Sequence, residues 1–294
     1  MNENQIWLPL IEIKEKEVFI IKFEPVIKWS GSKRVLSEDI ISYFPKEIDT
    51  YYELFCGGCS VLFQLLQSDI KVNKFVCNDI NSDLINFFNK LKSNPDEIYI
   101  EYKKRWNELR SKSDIPEKQA YYNFIRERYN TTHDVFDFIF LSRTSVNGLI
   151  RYNSKGGFNA PFHLTRDGVK PDTFKSILNQ WYKVLSNVDI VFTNENYCNF
   201  NPNENDYMFL DPPYANTKGM YFGTINYEEF WQWLRERKCN YALTFDGKRD
   251  EIDNTYAIPK DLYSKHIYLD GKISGFKKLH SDVNYVKESL YIRR

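Results

Sequence analysis

Apolar positions change their period several times along the chain, and each change marks an element. The run Tyr51-Tyr52-Glu53-Leu54-Phe55 meets Cys56-Gly57-Gly58-Cys59-Ser60 and continues as Val61-Leu62-Phe63-Gln64-Leu65-Leu66. This predicts a strand, a tight glycine turn and a buried helix, the opening of a nucleotide-binding βα unit. A second strand over residues 74–77 ends in Asn78-Asp79-Ile80-Asn81, and Leu84, Ile85, Phe87, Phe88 and Leu91 continue it as a helix. Asp79 lies about twenty residues beyond the glycines, where such units place a carboxylate for ribose hydroxyls. From residue 94 to about 143 the period is helical, with Ile98, Tyr102, Trp106 and Leu109, then Tyr121, Phe124, Ile125 and Arg128, then residues 135–141. Residues 143–162 read as two short segments joined by Asn153-Ser154-Lys155-Gly156-Gly157, a hairpin. A helix over 171–185, strands over 188–193 and 207–210, a helix over 227–237, a strand over 241–245 and an alternating segment over 283–292 follow. The simplest architecture is an α/β sheet, residues 25–92 and 167–294, interrupted by a helical insertion over 93–166. Residues 1–24 form an extension, with an edge strand or packed arm expected over 18–23.

Composition narrows the class. With 42% hydrophobic residues, 22 Phe, 21 Tyr and 6 Trp against 12 Gly and 11 Pro in 294 residues, a disordered, collagen-like or low-complexity chain is excluded. No apolar run approaches the roughly 18 residues that cross a bilayer, and no basic region precedes the apolar stretch in residues 1–10, so an intracellular, cytoplasmic protein is expected. The cysteines number 5, which argues against a disulfide framework. Cys56 and Cys59 have C-x-x-C spacing, suited to half a zinc site or a redox pair, but no second such pair follows, and small residues packing a turn are the simpler account. Lys+Arg and Asp+Glu balance at 40 each, yet no acid falls between Asp137 and Asp167 while Arg143, Arg151, Lys155 and Arg166 do. A basic hairpin on a helical insertion is a footprint for phosphates and base edges, unless it is merely a solvated face.

The most specific signal is Asp211-Pro212-Pro213-Tyr214, directly after the apolar Tyr207-Met208-Phe209-Leu210. At average usage the chance of this tetrapeptide in such a length is on the order of one in a thousand. Two prolines fix φ and donate nothing, so their carbonyls can point into a site instead of pairing along a sheet. The plainer alternative is a turn that closes a strand.

Taken in order, these segments resemble the Dam-type DNA adenine N6-methyltransferases, the class with its cofactor region before the target-recognition insertion. Lys28-Trp29-Ser30-Gly31-Ser32-Lys33-Arg34 looks like the family's first motif, Glu53-Leu54-Phe55-Cys56-Gly57-Gly58-Cys59 like its glycine motif, and Asn78-Asp79-Ile80-Asn81 like its ribose-contacting acid. Residues 143–162 resemble its DNA-reading hairpin and Asp211-Pro212-Pro213-Tyr214 its catalytic motif. Leu54 stands where proline is usual, and Cys59 where glycine is usual.

The resemblance implies a Rossmann-like methyltransferase sheet with S-adenosylmethionine as donor. Phe55 and Gly57 would let backbone approach the cofactor, Asp79 would accept from its ribose hydroxyls, Lys33 would meet its carboxylate, and Trp29 would pack nearby; Asn194 to Tyr197 would lie at its adenine end. An adenine amine is a poor nucleophile because its lone pair is delocalised. Hydrogen bonds to Asp211 and to the Pro212 carbonyl would localise that lone pair. The base would leave the helix stack and lie against Tyr214, at an unstacking cost of a few kcal/mol. Arg143, Asn147, Arg151 and Lys155 are the expected DNA readers, with Lys277, Lys278 and His280 as phosphate candidates. Arg143 could instead pair with Asp134 or Asp137 on its own helix. The expected partners are double-stranded DNA and a cognate restriction endonuclease, and the expected state is a monomer or weak dimer. No metal is expected. The competing readings are another acceptor on the same fold (cytosine N4, RNA or a protein amide), a retired DNA-binding relative, and a thiol redox protein built on Cys56 and Cys59.

Overall fold

Five parallel strands carry the site: β1 (Glu47–Glu53), β2 (Lys71–Asn78), β3 (Ile190–Thr193), β4 (Tyr207–Leu210) and β5 (Asn240–Arg249). With β6 (Ile252–Asp253), β7 (Lys265–Gly271) and β8 (Val286–Arg293) they form one sheet in the order β3-β2-β1-β4-β5-β8-β7, with β6 paired to β5. β8 lies antiparallel between β5 and β7. The computed structural model describes residues 24–214, 225–250, 252–271 and 286–294. The arm expected over 18–23 and the phosphate candidates Lys277, Lys278 and His280 lie outside the described residues.

Sheet polarity follows from coverage. Every residue of β4 is buried, as expected of a parallel strand with helices on both faces. The helices are α1 (Ser37–Ile41), α2 (Ser60–Leu65), α3 (Ser82–Ser93), α4 (Pro95–Arg110), α5 (Ile115–Thr132), α6 (Val135–Thr144), α7 (Pro171–Leu185) and α8 (Tyr227–Arg235). Side-chain oxygens of Asn81, Asn94, Asp114, Asp134 and Asn226 accept the first free amides of α3, α4, α5, α6 and α8, which fixes where those helices begin. On one face, Phe63, Phe88, Trp181 and Phe192 form a core continuous with Tyr102, Tyr122, Tyr129 and Phe138 of α4 to α6. On the other, Phe230, Trp231 and Leu234 of α8 pack on Leu54, Met208, Leu210 and Leu243.

Several boundaries differ from the sequence expectation for physical reasons. β2 starts at Lys71 rather than 74, because its first half is largely exposed and carries no apolar signal. β5 runs on to Arg249 past a register shift between Phe245 and Lys248. α8 ends at Arg235, and β3 starts at Ile190. The alternation gave no hint of β7, whose positions are mostly half-buried or exposed. The hairpin opens after α6, so Arg143 is helical and lies outside it, contrary to the 143–162 expectation. Its arms meet in two isolated antiparallel pairs, Ser145 with Phe162 and Tyr152 with Phe158. A tight turn at Val146–Gly148, with Asn147 at φ 56° and Gly148 at φ 66°, breaks the first arm.

The insertion's cationic excess is partly internal. Asp137, fully buried at 0% exposure, accepts Arg105 Nε at 2.8 Å and Arg128 Nε and a terminal nitrogen at 2.6 Å each. Arg110 and Lys118 converge on Asp167 at 2.5 and 3.0 Å. Removing the acid of a buried pair strands its cations, typically at a cost of about 3 to 5 kcal/mol. Asp137→Asn is therefore expected to lower the unfolding free energy by roughly 3 kcal/mol, checked by denaturant titration against the parent chain.

Candidate active site

The strand order reverses at β1, which has β2 on one side and β4 on the other. Loops leaving the carboxyl ends of these strands diverge there and leave a crevice. Glu53, the last residue of β1, pairs in register with Phe209 of β4, which places Asp211 two residues further on beside the glycine turn. Cys77 pairs with Glu53, which brings Asp79 to the same edge. A single cavity is consequently lined by Trp29 and the residues up to Lys33, by Glu53, Phe55, Gly57 and Asp79, and by Asp211, Pro212 and Pro213.

The glycine turn is held from both ends. Asp79 Oδ2 accepts the Gly57 amide at 2.9 Å and Oδ1 accepts the Asn81 amide at 3.0 Å. Burial raises the Asp79 carboxyl above its usual range, and these two amides pull it back. Gly57 has φ +45°, and a Cβ there would stand 2.6 Å from Trp29 Nε1. Cys59 adopts the left-handed conformation at φ 52° at the start of α2. Burial pushes the Cys56 thiol up to about 11, and a protonated, enclosed thiol is a poor nucleophile. Asn78 binds the ends of three strands: Nδ2 donates to the carbonyls of Leu54 and Glu195, and Oδ1 accepts the Thr193 hydroxyl and the Glu195 amide.

The acidic centre is more elaborate than the sequence suggests. Lys33 Nζ, on a side chain only 4% exposed, lies 2.9 Å from Asp211 Oδ2 and 3.2 Å from Glu288 Oε2. It also donates to the Gly31 carbonyl at 2.9 Å. Asp211 Oδ1 accepts Thr244 Oγ1 at 2.7 Å and the Tyr214 hydroxyl at 3.1 Å. The Tyr214 hydroxyl also reaches Glu288 at 3.0 Å. Burial, then Asp211 and Glu288, hold that phenol well above its ordinary value. Glu53 is 2% exposed and accepts the Tyr51 hydroxyl at 2.8 Å. Burial, with Asp211 adding repulsion, drives its carboxyl up to about 8.

The expected site residues separate into groups. Trp29, Lys33, Phe55, Gly57, Asp79, Asp211, Pro212 and Pro213 line one cavity. Tyr214 stands beside it, half-buried, with Lys33 4.9 Å over its ring and Phe245 5.4 Å away. The Pro213 carbonyl accepts the Tyr227 hydroxyl at 2.6 Å. Asn194 donates to the Asp79 carbonyl at 2.8 Å, and Tyr197 packs on Phe55 at 5.5 Å. Asn147, Arg151 and Lys155 are exposed, and Asn159 braces the Arg151 guanidinium through Nε at 2.8 Å. The Arg143 guanidinium donates instead to the carbonyls of Pro25 and Val26 at 3.1 and 3.2 Å and lies 5.1 Å over Phe174, so it pairs with neither Asp134 nor Asp137. Sequence reasoning missed Glu288 and Thr244. Thr244 had a signal, a lone hydroxyl inside the buried run Tyr241-Ala242-Leu243-Thr244-Phe245.

Residues 29–286 match the family model of the D12 class N6 adenine-specific DNA methyltransferases. The chain belongs to this family. It is 31% identical over 207 residues to the Type II methyltransferase M.MjaIII of Methanocaldococcus jannaschii, covering 66% of this chain and 70% of that protein. The Type II methyltransferase M.CviBI of Paramecium bursaria Chlorella virus NC1A is 26% identical over 262 residues, 88% of this chain and 93% of the relative. The DNA adenine methylase of Escherichia coli K12 is 34% identical over 198 residues, 64% of each. This chain is accordingly a site-specific DNA adenine methyltransferase that uses S-adenosylmethionine. The cavity suits that cofactor: each of the two Asp79 oxygens accepts one backbone amide, which leaves lone pairs for hydroxyl donors, and Gly57 leaves the backbone bare beside them.

Two outcomes are expected of this methyltransferase. Gly57→Ala forces Trp29 out of place, and at the roughly 1 to 3 kcal/mol that overpacking costs, cofactor affinity falls about fivefold or more, read by calorimetry. Glu53 holds its proton to a higher pH folded than unfolded, so the folded state binds more protons across the window from its ordinary 4.5 to about 8. Unfolding free energy therefore declines as pH rises through that window. Glu53→Gln should flatten the decline, measured by urea melts across it.

Proposed function

We propose that Asp211 and the Pro212 main-chain carbonyl grip the exocyclic amine of an adenine turned out of double-stranded DNA, at the cavity where Gly57 and Asp79 hold the donor. The observation that carries this reading is the position of Asp211: it lines the same cavity as Gly57 and Asp79, and its carboxylate is fixed by Thr244 and Lys33. S-adenosylmethionine, when bound, supplies an electrophilic methyl group. The protein's part is positioning and charge. A carboxylate and a rigid carbonyl accepting both amine hydrogens draw nitrogen toward tetrahedral geometry, and the positive charge that develops there faces Asp211. The proton released leaves toward the same carboxylate.

Asn147, Arg151 and Lys155 on the hairpin are the proposed readers of the target sequence. Asn159 holds the Arg151 guanidinium in a fixed plane, as bidentate recognition of a guanine requires. Two of the relatives carry the name Type II methyltransferase, which supports a role as the modification enzyme of a restriction-modification pair, protecting sites that a cognate endonuclease cuts. The proposed setting is the cytoplasm, as a monomer or weak dimer; among the described residues no helix is long and apolar enough to cross a membrane.

The test is methyl transfer from labelled cofactor to unmethylated DNA, with N6-methyladenine scored in the product; its absence overturns the reading. Asp211→Ala should lower the rate about a hundredfold or more, the range for a positioned acid–base group, while leaving cofactor affinity within a few fold. Arg151→Ala should lose about 1 to 3 kcal/mol of discrimination between cognate and altered sites with cofactor affinity intact. Equal loss of both would make Arg151 structural.

A further inference from the structure

We propose that Glu288 is a positioning residue for methyl transfer, holding the Lys33 ammonium and the Tyr214 hydroxyl so that Asp211 turns an oxygen to the target amine; this rests on the reaction proposed above. Glu288 enters from β8, the antiparallel strand beside β5, and meets Lys33 and Tyr214 through the same oxygen, at 3.2 and 3.0 Å. Asp211 meets the same two groups, Lys33 through Oδ2 and Tyr214 through Oδ1. Two carboxylates thus share one ammonium and one phenol.

The sharing decides whether Oδ1 of Asp211 can receive the amine, Oδ2 being engaged by the Lys33 ammonium. Asp211 Oδ1 accepts both Thr244 Oγ1 and the Tyr214 hydroxyl, and a carboxylate oxygen has about two lone-pair directions. With both filled, the target amine has no direction left at Oδ1. A phenol has one proton to donate, and Glu288 is the alternative acceptor at nearly equal distance. When the Tyr214 proton turns to Glu288, Asp211 Oδ1 opens while Thr244 keeps the carboxylate in place. The same exchange governs charge. Among the described residues two carboxylates face one ammonium in this cluster, so the cation developing on the amine meets a second carboxylate beyond the Lys33–Asp211 ion pair. Both effects require a charged Glu288, since a carboxylate is roughly twice as strong an acceptor as a neutral amide.

The experiment measures single-turnover methyl transfer from labelled cofactor to DNA, with cofactor and DNA dissociation constants measured separately, for the full chain and its Glu288→Gln, Glu288→Asp, Tyr214→Phe and Tyr214→Phe/Glu288→Gln variants. Glu288→Gln should slow transfer about tenfold or more with both dissociation constants within about twofold of the parent. Glu288→Asp, which keeps the charge on a shorter arm, should recover part of the loss. With Tyr214→Phe no phenol proton competes for Asp211, so Glu288→Gln should cost less in that background than in the parent. The proposal is overturned if Glu288→Gln transfers at the parental rate, if it weakens either ligand by the same factor as the rate, if Glu288→Asp recovers nothing, or if its cost is the same in both backgrounds. N6-methyladenine in the parent's product reports the underlying reaction separately, because the rates count methyl groups delivered to any base.

Discussion

A buried ammonium ion cannot stand alone in a protein interior, and the site of this methyltransferase is organised around one. Lys33, enclosed by the loop that precedes α1, gains its counter-charges from Asp211 at the end of β4 and Glu288 in β8. Desolvating a cation costs several kcal/mol unless acids and carbonyls replace its water, so the amino-terminal loop, the parallel strands and the antiparallel strand are held in one arrangement. Whatever loosens any of the three exposes the same unpaired charge. That couples correct folding of the sheet to the geometry of Asp211 more tightly than apolar packing alone would.

Much of this architecture was legible in the chain because local chemistry and tertiary role coincide. The β4 run and Asp211-Pro212-Pro213-Tyr214 stand out since a fully buried parallel strand needs an unbroken apolar stretch and the prolines end it. α7 falls on residues 171–185 as expected, with Pro171 starting it and an apolar stripe from Phe174 to Leu185. The glycine turn and Asp79 lie where a βα unit requires them. Glu288 was not legible: flanked by Lys287 and Ser289, it looks like a solvated strand position, and only the insertion of β8 between β5 and β7 brings it to Lys33. Arg143 misled because its sequence setting resembles the basic hairpin, whereas the end of α6 turns it toward Pro25 and Val26. The basic excess of the insertion misled in part for a related reason, since Arg105, Arg128, Arg110 and Lys118 spend their charge on Asp137 and Asp167.

The two departures from the family's glycine motif have distinct physical standing. Leu54 packs in the core under α8 with Met208 and Leu210, so an apolar residue serves there without proline's fixed φ. Cys59 occupies a left-handed backbone position that ordinarily favours glycine and accepts a strain of roughly 1 to 2 kcal/mol. In return its thiol fills enclosed space, together with Cys56 and Cys77, inside the main core. The C-x-x-C spacing serves packing here: both thiols are buried in the core, and burial raises them above their ordinary value.

The contact between Gly57 and Trp29 has an evolutionary corollary. The indole fills the volume that any larger residue at 57 would claim, so the two positions form one steric unit although 27 residues of chain lie between them. A lineage that replaced the tryptophan with something smaller would remove the clash and leave only the backbone strain of a left-handed φ of +45° against alanine or serine in the turn. One that kept it could not drift at 57 at all, and the pair should be inherited jointly.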